Sequence, residues 1–228
     1  MKNYLNPATL TLMLNSLYHK FGKRLIDVFF SLTGFLFLWP FFLLIAILIK
    51  LDSPGPIIFK QKRVGKGGKV FNFYKSRNMV KNAEKLKKKY SHLNEAKGPV
   101  FKIRNDPRYT RIGKFLSHTG LDELPQIFNI LKGEMSLTGP RPLPVDEERK
   151  ISKKWRQKRK QAKPGLTCSW LLKGAHRLSF KKWMKLDIED IKKSGFLYDL
   201  NIFFKVLFMG FKLLLKEIGQ KNHFPFSK

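Results

Sequence analysis

The sequence predicts an α+β protein seated on a membrane. It should have an apolar helix near the N-terminus, a small and mostly helical domain with one short β-hairpin, and an amphipathic interfacial helix close to the C-terminus. Three observations predict this. Residues 28–49 form an uncharged run long enough for a membrane helix. Two β-type runs flank a glycine turn, IIFKQKRV-GKGGK-VFNFYK. Polar residues recur along one face of segment 197–215.

Composition narrows the function classes. With 228 residues, 43% of them hydrophobic, the chain can bury a core and is not disordered as a whole. A single cysteine, Cys168, excludes an internal disulfide framework, and the five histidines show no zinc-site spacing. Lys and Arg number 46 against 16 Asp and Glu, a formal charge of +30. Such a charge selects anionic company: phosphate-rich substrates, anionic lipid or nucleic acid.

The run 28–49 is too long for a cleavable signal core, and no small-residue cleavage site follows it. Pro40 lies inside, where it removes a backbone hydrogen bond, and the part before it falls short of a hydrocarbon core about 30 Å thick. Basic residues flank both ends: Lys20, Lys23 and Arg24 before, Lys50, Lys60, Lys62 and Arg63 after. Both flanks therefore carry the cytoplasmic mark. A helix that re-enters through one leaflet satisfies this, and a kinked spanning helix is the other reading; the residues alone leave both open.

Asp52-Ser53-Pro54-Gly55-Pro56 is a turn-rich exit to the hairpin, and residues 80–90 read as a solvated, Lys-rich helix. Breaks follow at Gly98-Pro99 and at Asn105 to Arg108. Residues 121–131 read as a helix with Leu121, Leu124, Phe128 and Leu131 at core spacing. Residues 135–144 read as a stiff Gly/Pro loop, 150–163 as a strongly basic stretch, and Pro164-Gly165 as the start of an irregular segment. In 197–215, Asn201, Lys205, Lys212 and Lys216 share one face and phenylalanines and leucines fill the rest. This fits an interfacial helix with snorkelling lysines; a helix closing a soluble core is the alternative.

Chemistry centres on Asp122-Glu123. Pro125 is tolerated only in a first helical turn, so the pair belongs at or beside a helix N-terminus, where the dipole favours an ionised acid. Capping acids are commonplace there, and catalysis is the sharper reading. Its surroundings favour the latter. Arg141 sits between two prolines in Gly-Pro-Arg-Pro, a stiff mount for a phosphate-binding guanidinium. Lys75 and Arg77 follow the hairpin, and Arg104, Arg108 and Arg111 lead towards the pair. Gly65-Lys66-Gly67-Gly68 is no phosphate loop, and neither a nucleophile elbow nor a zincin motif occurs.

The ordered motifs KRLIDVFF, LIKLDSPGPIIFKQKRVGKGGKVFNFYKSRNM, NDPRYTRIGKFL, LDELPQIFNILKGEMSLTGPRP and KPGLT resemble the bacterial sugar transferases over about residues 23–215. The chain looks like their small, minimal type, the monotopic phosphoglycosyl transferases that start glycan assembly on a polyprenol phosphate. The resemblance implies transfer of a sugar-1-phosphate from a UDP-sugar to undecaprenyl phosphate with release of UMP, a first membrane step of polysaccharide or glycoconjugate biosynthesis. It implies Asp122 as the nucleophile of a covalent phosphosugar intermediate, Glu123 as a Mg²⁺ ligand, and Lys75, Arg77 and Arg141 as phosphate-side groups. Arg104 and Arg111 join that basic set, and Asp187 keeps the family's acid in Leu-Asp-Ile. Trp39-Pro40 matches the family's helix break, which favours the re-entrant form.

The resemblance also sets the expected organisation: an extension at 1–22, a re-entrant helix at 23–50, a cytoplasmic catalytic domain at 51–196, and an interfacial helix and tail at 197–228. Placement follows at the cytoplasmic face of the bacterial inner membrane, with anionic lipid as a further partner and no nucleic acid; self-association into a homodimer is open. The chain departs from the family pattern at Trp39 (usually Ser), Leu171 (usually Gln), Ala175 (usually Arg) and Glu189-Asp190 (usually two Tyr). Two other readings compete. A non-catalytic membrane scaffold would suit the departures, and a basic nucleic-acid-binding protein would suit the charge but leaves 28–49 without a purpose.

Overall fold

The computed structural model describes residues 15–96, 98–174 and 178–219. Helix α1 spans Lys23–Asp52, and its apolar middle is mostly exposed, with Leu36, Phe37, Trp39, Phe41, Leu43 and Leu44 all open. The helical assignment continues through Trp39 and Pro40, so the proline lies within α1. Phe35 and Phe42, on either side of it, both pack on Phe128 of the domain, with ring centroids 5.4 and 6.2 Å away.

Polar groups tie both ends of α1 to one body. At the start, Arg24 donates to the carbonyls of Ile130 and Leu131 at 2.6 and 2.7 Å. Asp27 accepts from the Leu137 N–H and the Ser136 hydroxyl at 2.8 and 2.9 Å, and Lys23 pairs with Asp199. At the far end, Asp52 accepts from the Ile112 N–H at 3.0 Å. The Arg77 guanidinium donates to the Ile49 carbonyl at 3.1 Å and to the Ser53 carbonyl at 2.5 Å. A helix of 30 residues with both ends on one body and an exposed apolar middle is consistent with a monotopic inner-membrane protein. The basic flanks put the body on the cytoplasmic side.

The hairpin forms as expected. Strands β1 (Ile58–Val64) and β2 (Val70–Ser76) pair antiparallel from Ile58↔Ser76 to Val64↔Val70. The Lys-rich segment yields only one α turn, Ala83–Leu86, and a 3-10 turn at Ser91–Leu93. Lysines at 81, 85 and 89 repel along one helix face. Helix α2 spans Arg111–Thr119; Thr110 caps it by accepting from the Gly113 N–H at 3.1 Å. The helix expected over 121–131 is split. A 3-10 turn, Leu121–Glu123, is followed by α3 at Gln126–Leu131, with Pro125 as its N-cap.

The Gly/Pro loop and the irregular segment hold a strand pair that the sequence did not reveal: β3 (Ser136–Thr138) and β4 (Gly165–Thr167), pairing parallel. Helices α4 (Val145–Lys150) and α5 (Lys153–Arg159) lie between them, and α6 (Phe180–Lys193) and α7 (Phe196–Gly219) end the described fold. The central core joins Phe71 and Phe73 of the hairpin to Ile130, Met135 and Leu137, with Ile26 and Phe30 of α1 and Phe203 of α7 against them. Along α7 only Asp199 and Ile202 are buried, while Phe204, Leu207, Phe208, Phe211 and Leu215 are exposed. That exposure favours the interfacial reading over a core-closing helix.

Candidate active site

The Asp122 turn is placed by two glycines. Gly120 ends α2 with a left-handed φ of 78°, which turns the chain so that residues 121–123 fold back towards β2. Gly113 lets α2 lie directly on the strand exit, because a Cβ there would stand 2.0 Å from the Asn78 carbonyl oxygen. Leu121 and Leu124, flanking the pair, pack on Ile45, Ile49, Ile112 and Leu116. The acidic turn is thus mounted on the second half of α1.

Asp122 is 1% exposed. Its Oδ2 accepts from Lys75 Nζ and from Asn78 Nδ2, each at 2.7 Å. No described residue donates to Oδ1. Burial raises the Asp122 carboxyl above the ordinary aspartate range, and Lys75 works against that shift. Lys75 and Asn78, rather than a helix N-terminus, favour the ionised form of Asp122, since α3 starts only at Gln126.

Glu123 is joined to Arg141 by both oxygens, with Nη1 to Oε2 at 3.2 Å and a close Nη2–Oε1 contact. Burial would raise its carboxyl, but Arg141 holds it at about 2. Arg63 approaches from β1, its guanidinium 3.7 Å over the Phe73 ring and donating to the Pro142 carbonyl at 2.9 Å. Burial and neighbouring Arg141 press Arg63 below its usual range. Lys102 shares the electrostatic neighbourhood of both carboxylates. Lys75 and Arg141 thus pair with the two carboxylates, and Arg63 adds positive charge beside them.

Other expected residues lie elsewhere. Arg77 is spent on the end of α1, where it clamps the membrane helix rather than facing Asp122. Arg108 is paired with Asp106 at 2.6 Å. Arg104 and Arg111 are exposed, and neither side chain pairs with Asp122 or Glu123. Asp187 is fully buried and pairs with Arg159 Nε at 2.9 Å, behind the Arg141 loop. Leu171 is half-buried beside Cys168, Trp170 and Leu186, and Ala175 lies outside the described residues.

The residues that sequence reasoning missed are Asn78, Arg63, Arg159 and Glu148. Asn78 stands three positions past Lys75, a spacing that was visible; Arg159 was hidden in a run of surface-like bases. For Mg²⁺ the pocket is not preformed. Both Glu123 oxygens engage Arg141, Asp122 offers only Oδ1, and the described residues hold no cluster of three or more His, Cys, Asp or Glu. Mg²⁺ normally adds substrate phosphates to one or two carboxylates, so Glu123 fits the ion only once Arg141 has moved to a phosphate.

The profile described as bacterial sugar transferase matches residues 18–213. The chain is 38% identical over 204 residues to galactosyl transferase CpsE of Streptococcus agalactiae, covering 89% of this chain and 44% of that protein. It is 35% identical over 208 residues to undecaprenyl-phosphate galactose phosphotransferase of Salmonella typhimurium, covering 88% and 42%. With exopolysaccharide production protein ExoY of Sinorhizobium fredii it shares 33% over 190 residues, covering 82% and 84%. The chain therefore spans less than half the length of the first two relatives and most of the third. Matched over most of its length, and 33% identical to a relative of which it covers 84%, the chain belongs to the bacterial sugar transferase family.

Proposed function

We propose that this chain transfers a sugar-1-phosphate from a UDP-sugar to undecaprenyl phosphate, releasing UMP, through a covalent intermediate on Asp122. The observation that carries the reading is the buried Asp122 carboxylate, with Oδ2 fixed by Lys75 and Asn78, no donor to Oδ1 among the described residues, and the turn that holds it mounted on the membrane helix. Oδ1 attacks the β-phosphorus of the donor. The bond from that phosphorus to the bridging oxygen breaks, and UMP leaves with the oxygen. A phosphate oxygen of the lipid then attacks the same phosphorus, the bond to Oδ1 breaks, and the carboxylate is restored. Splitting the transfer lets a soluble donor leave before the lipid acceptor reacts.

Lys75 and Asn78 hold Oδ2 and so orient the attacking oxygen. Arg141 and Arg63 supply positive charge to the phosphates, Arg141 by turning from Glu123 to a phosphate that matches its fork. Mg²⁺ belongs to the proposal as companion of the diphosphate, whose charge it would neutralise, with Glu123 as the residue to hold it. The lipid phosphate reaches the pocket where α1 leaves the bilayer, and exposed lysines attract the anionic leaflet.

The test is incubation with a panel of UDP-sugars, undecaprenyl phosphate and Mg²⁺, scoring UMP and the mass of Asp122 peptides. Release with at least one donor, a phosphosugar adduct on Asp122, and loss of both in Asp122→Asn are expected. No release with any donor overturns the proposal and leaves a membrane scaffold, and undiminished release from Asp122→Asn overturns the covalent intermediate on Asp122.

A further inference from the structure

The loop carrying Arg141 is gripped from outside at four consecutive carbonyls. Pro140 O accepts from the Gly165 N–H at 3.0 Å, and Leu143 O accepts from the Val64 N–H at 3.1 Å. Pro142 O accepts from Arg63 at 2.9 Å, and Arg141 O accepts from Arg159 Nη2. Prolines at 140 and 142 remove two N–H groups, so the loop cannot brace itself from within and depends on these partners.

Arg159 is the least expected of them. It is buried at the end of α5, and each arm of its guanidinium is assigned: Nε to Asp187 at 2.9 Å, Nη1 to Glu148 at 2.7 Å, Nη2 to the Arg141 carbonyl. Two buried carboxylates serve one guanidinium. Stability does not call for such a group, because buried ion clusters replaced by well-packed apolar residues are often neutral or more stable. A planar fork with three fixed directions does serve one purpose that apolar packing cannot: it locates a carbonyl oxygen.

We propose that Arg159, aimed by Asp187 and Glu148, is a positioning residue that sets the Arg141 backbone and thereby aims the Arg141 guanidinium at the donor's phosphates. The inference rests on the phosphotransfer reading above. It gives Asp187 a role different from donor contact: the acid lies behind Arg141 and acts through Arg159. The same arrangement explains why Arg141 must be held by its main chain. Its side chain has to leave Glu123 for a phosphate, so the fixed point must be the backbone.

The experiment is a double-mutant cycle between position 159 and position 141. UDP affinity is measured by calorimetry, and donor KM and kcat by UMP release, in full-length protein in nanodiscs. Arg159→Lys keeps a charge for the two acids but loses the fork, so melting should stay near wild type while UDP affinity falls at least 10-fold and donor KM rises to match. Arg159→Met should do the same or more, and the lysine variant carries the test if the methionine variant does not fold. In an Arg141→Ala background, adding Arg159→Lys should change UDP affinity less than 2-fold, because nothing is left to aim. Effects that multiply in the double variant, or wild-type affinity in folded Arg159→Lys, overturn the inference while leaving the phosphotransfer reading intact. Wild-type protein that neither binds UDP nor releases UMP overturns both.

Discussion

Replacing Lys75 with Met removes the ammonium bonded to Asp122 at 2.7 Å while keeping most of the side chain's length. Leaving one member of a buried ion pair alone costs about 3–5 kcal/mol when nothing else compensates. Here Asn78 still donates to Oδ2, and Lys75 is itself 20% exposed, so a discounted figure of about 2–3 kcal/mol is appropriate. That corresponds to at most about 100-fold in the balance between the ionised and neutral forms of Asp122, in the same direction as the rise that burial already causes. The variant should therefore carry less of the nucleophilic carboxylate. Covalent labelling by a UDP-sugar should fall by up to about 100-fold at pH 7 and recover in part by pH 9.

Stability gives the second readout, and its sign follows from linkage. A carboxyl whose folded pKa exceeds its unfolded value, about 4, binds its proton more tightly when folded. Stability then falls as pH rises between the two values. Lys75→Met widens that interval upward, so its melting temperature should fall over a wider pH range above about 4 than that of the wild type. Labelling at the wild-type rate at pH 7, or no recovery at pH 9 in folded protein, would refute the reasoning.

Burial sets the Asp187 carboxyl at about 7 against the pull of Arg159. Its contribution to stability should thus decline as pH rises from about 4 to 7, by roughly 4 kcal/mol at most. Asp187→Asn should flatten melting temperature over that window, and an unchanged slope would assign the effect elsewhere. Gly113→Ala would drive a Cβ to 2.0 Å from the Asn78 carbonyl; a loss of about 3 kcal/mol and of labelling is expected, because Asn78 moves away from Asp122. Gly120→Ala meets nothing within 4 Å but keeps a φ of 78°, so about 1 kcal/mol of backbone strain is expected by thermal melting. Phe208→Glu with Phe211→Glu, both on the exposed face of α7, should weaken binding to anionic vesicles several-fold by flotation, with melting in detergent unchanged; equal binding would deny α7 an interfacial role.

Much of the architecture was legible in the residues because it is local. The hairpin is written in alternation around a glycine turn, α1 in an unbroken apolar run, and α7 in lysines spaced by helical turns. The misses are equally physical. Three-residue strands such as β3 and β4 carry no period, and their parallel pairing depends on chain 29 residues apart meeting. The lysines of 80–90 have helical propensity but repel one another along one face, and the expected helix shrinks to turns.

The acidic pair and its rigid arginine belong to the sequence alone, as does the apolar segment that brings them to a membrane. Which base serves which acid was decided only on folding. Arg77, two residues past Lys75, turned to the end of α1, while Arg159 emerged from a basic run to hold the Arg141 loop. Propensity and periodicity act over a few neighbouring residues. The pairings Asn78–Asp122, Arg159–Asp187 and Arg141–Glu123 join positions 44, 28 and 18 apart, and only close packing of separate elements selects among so many equivalent charges.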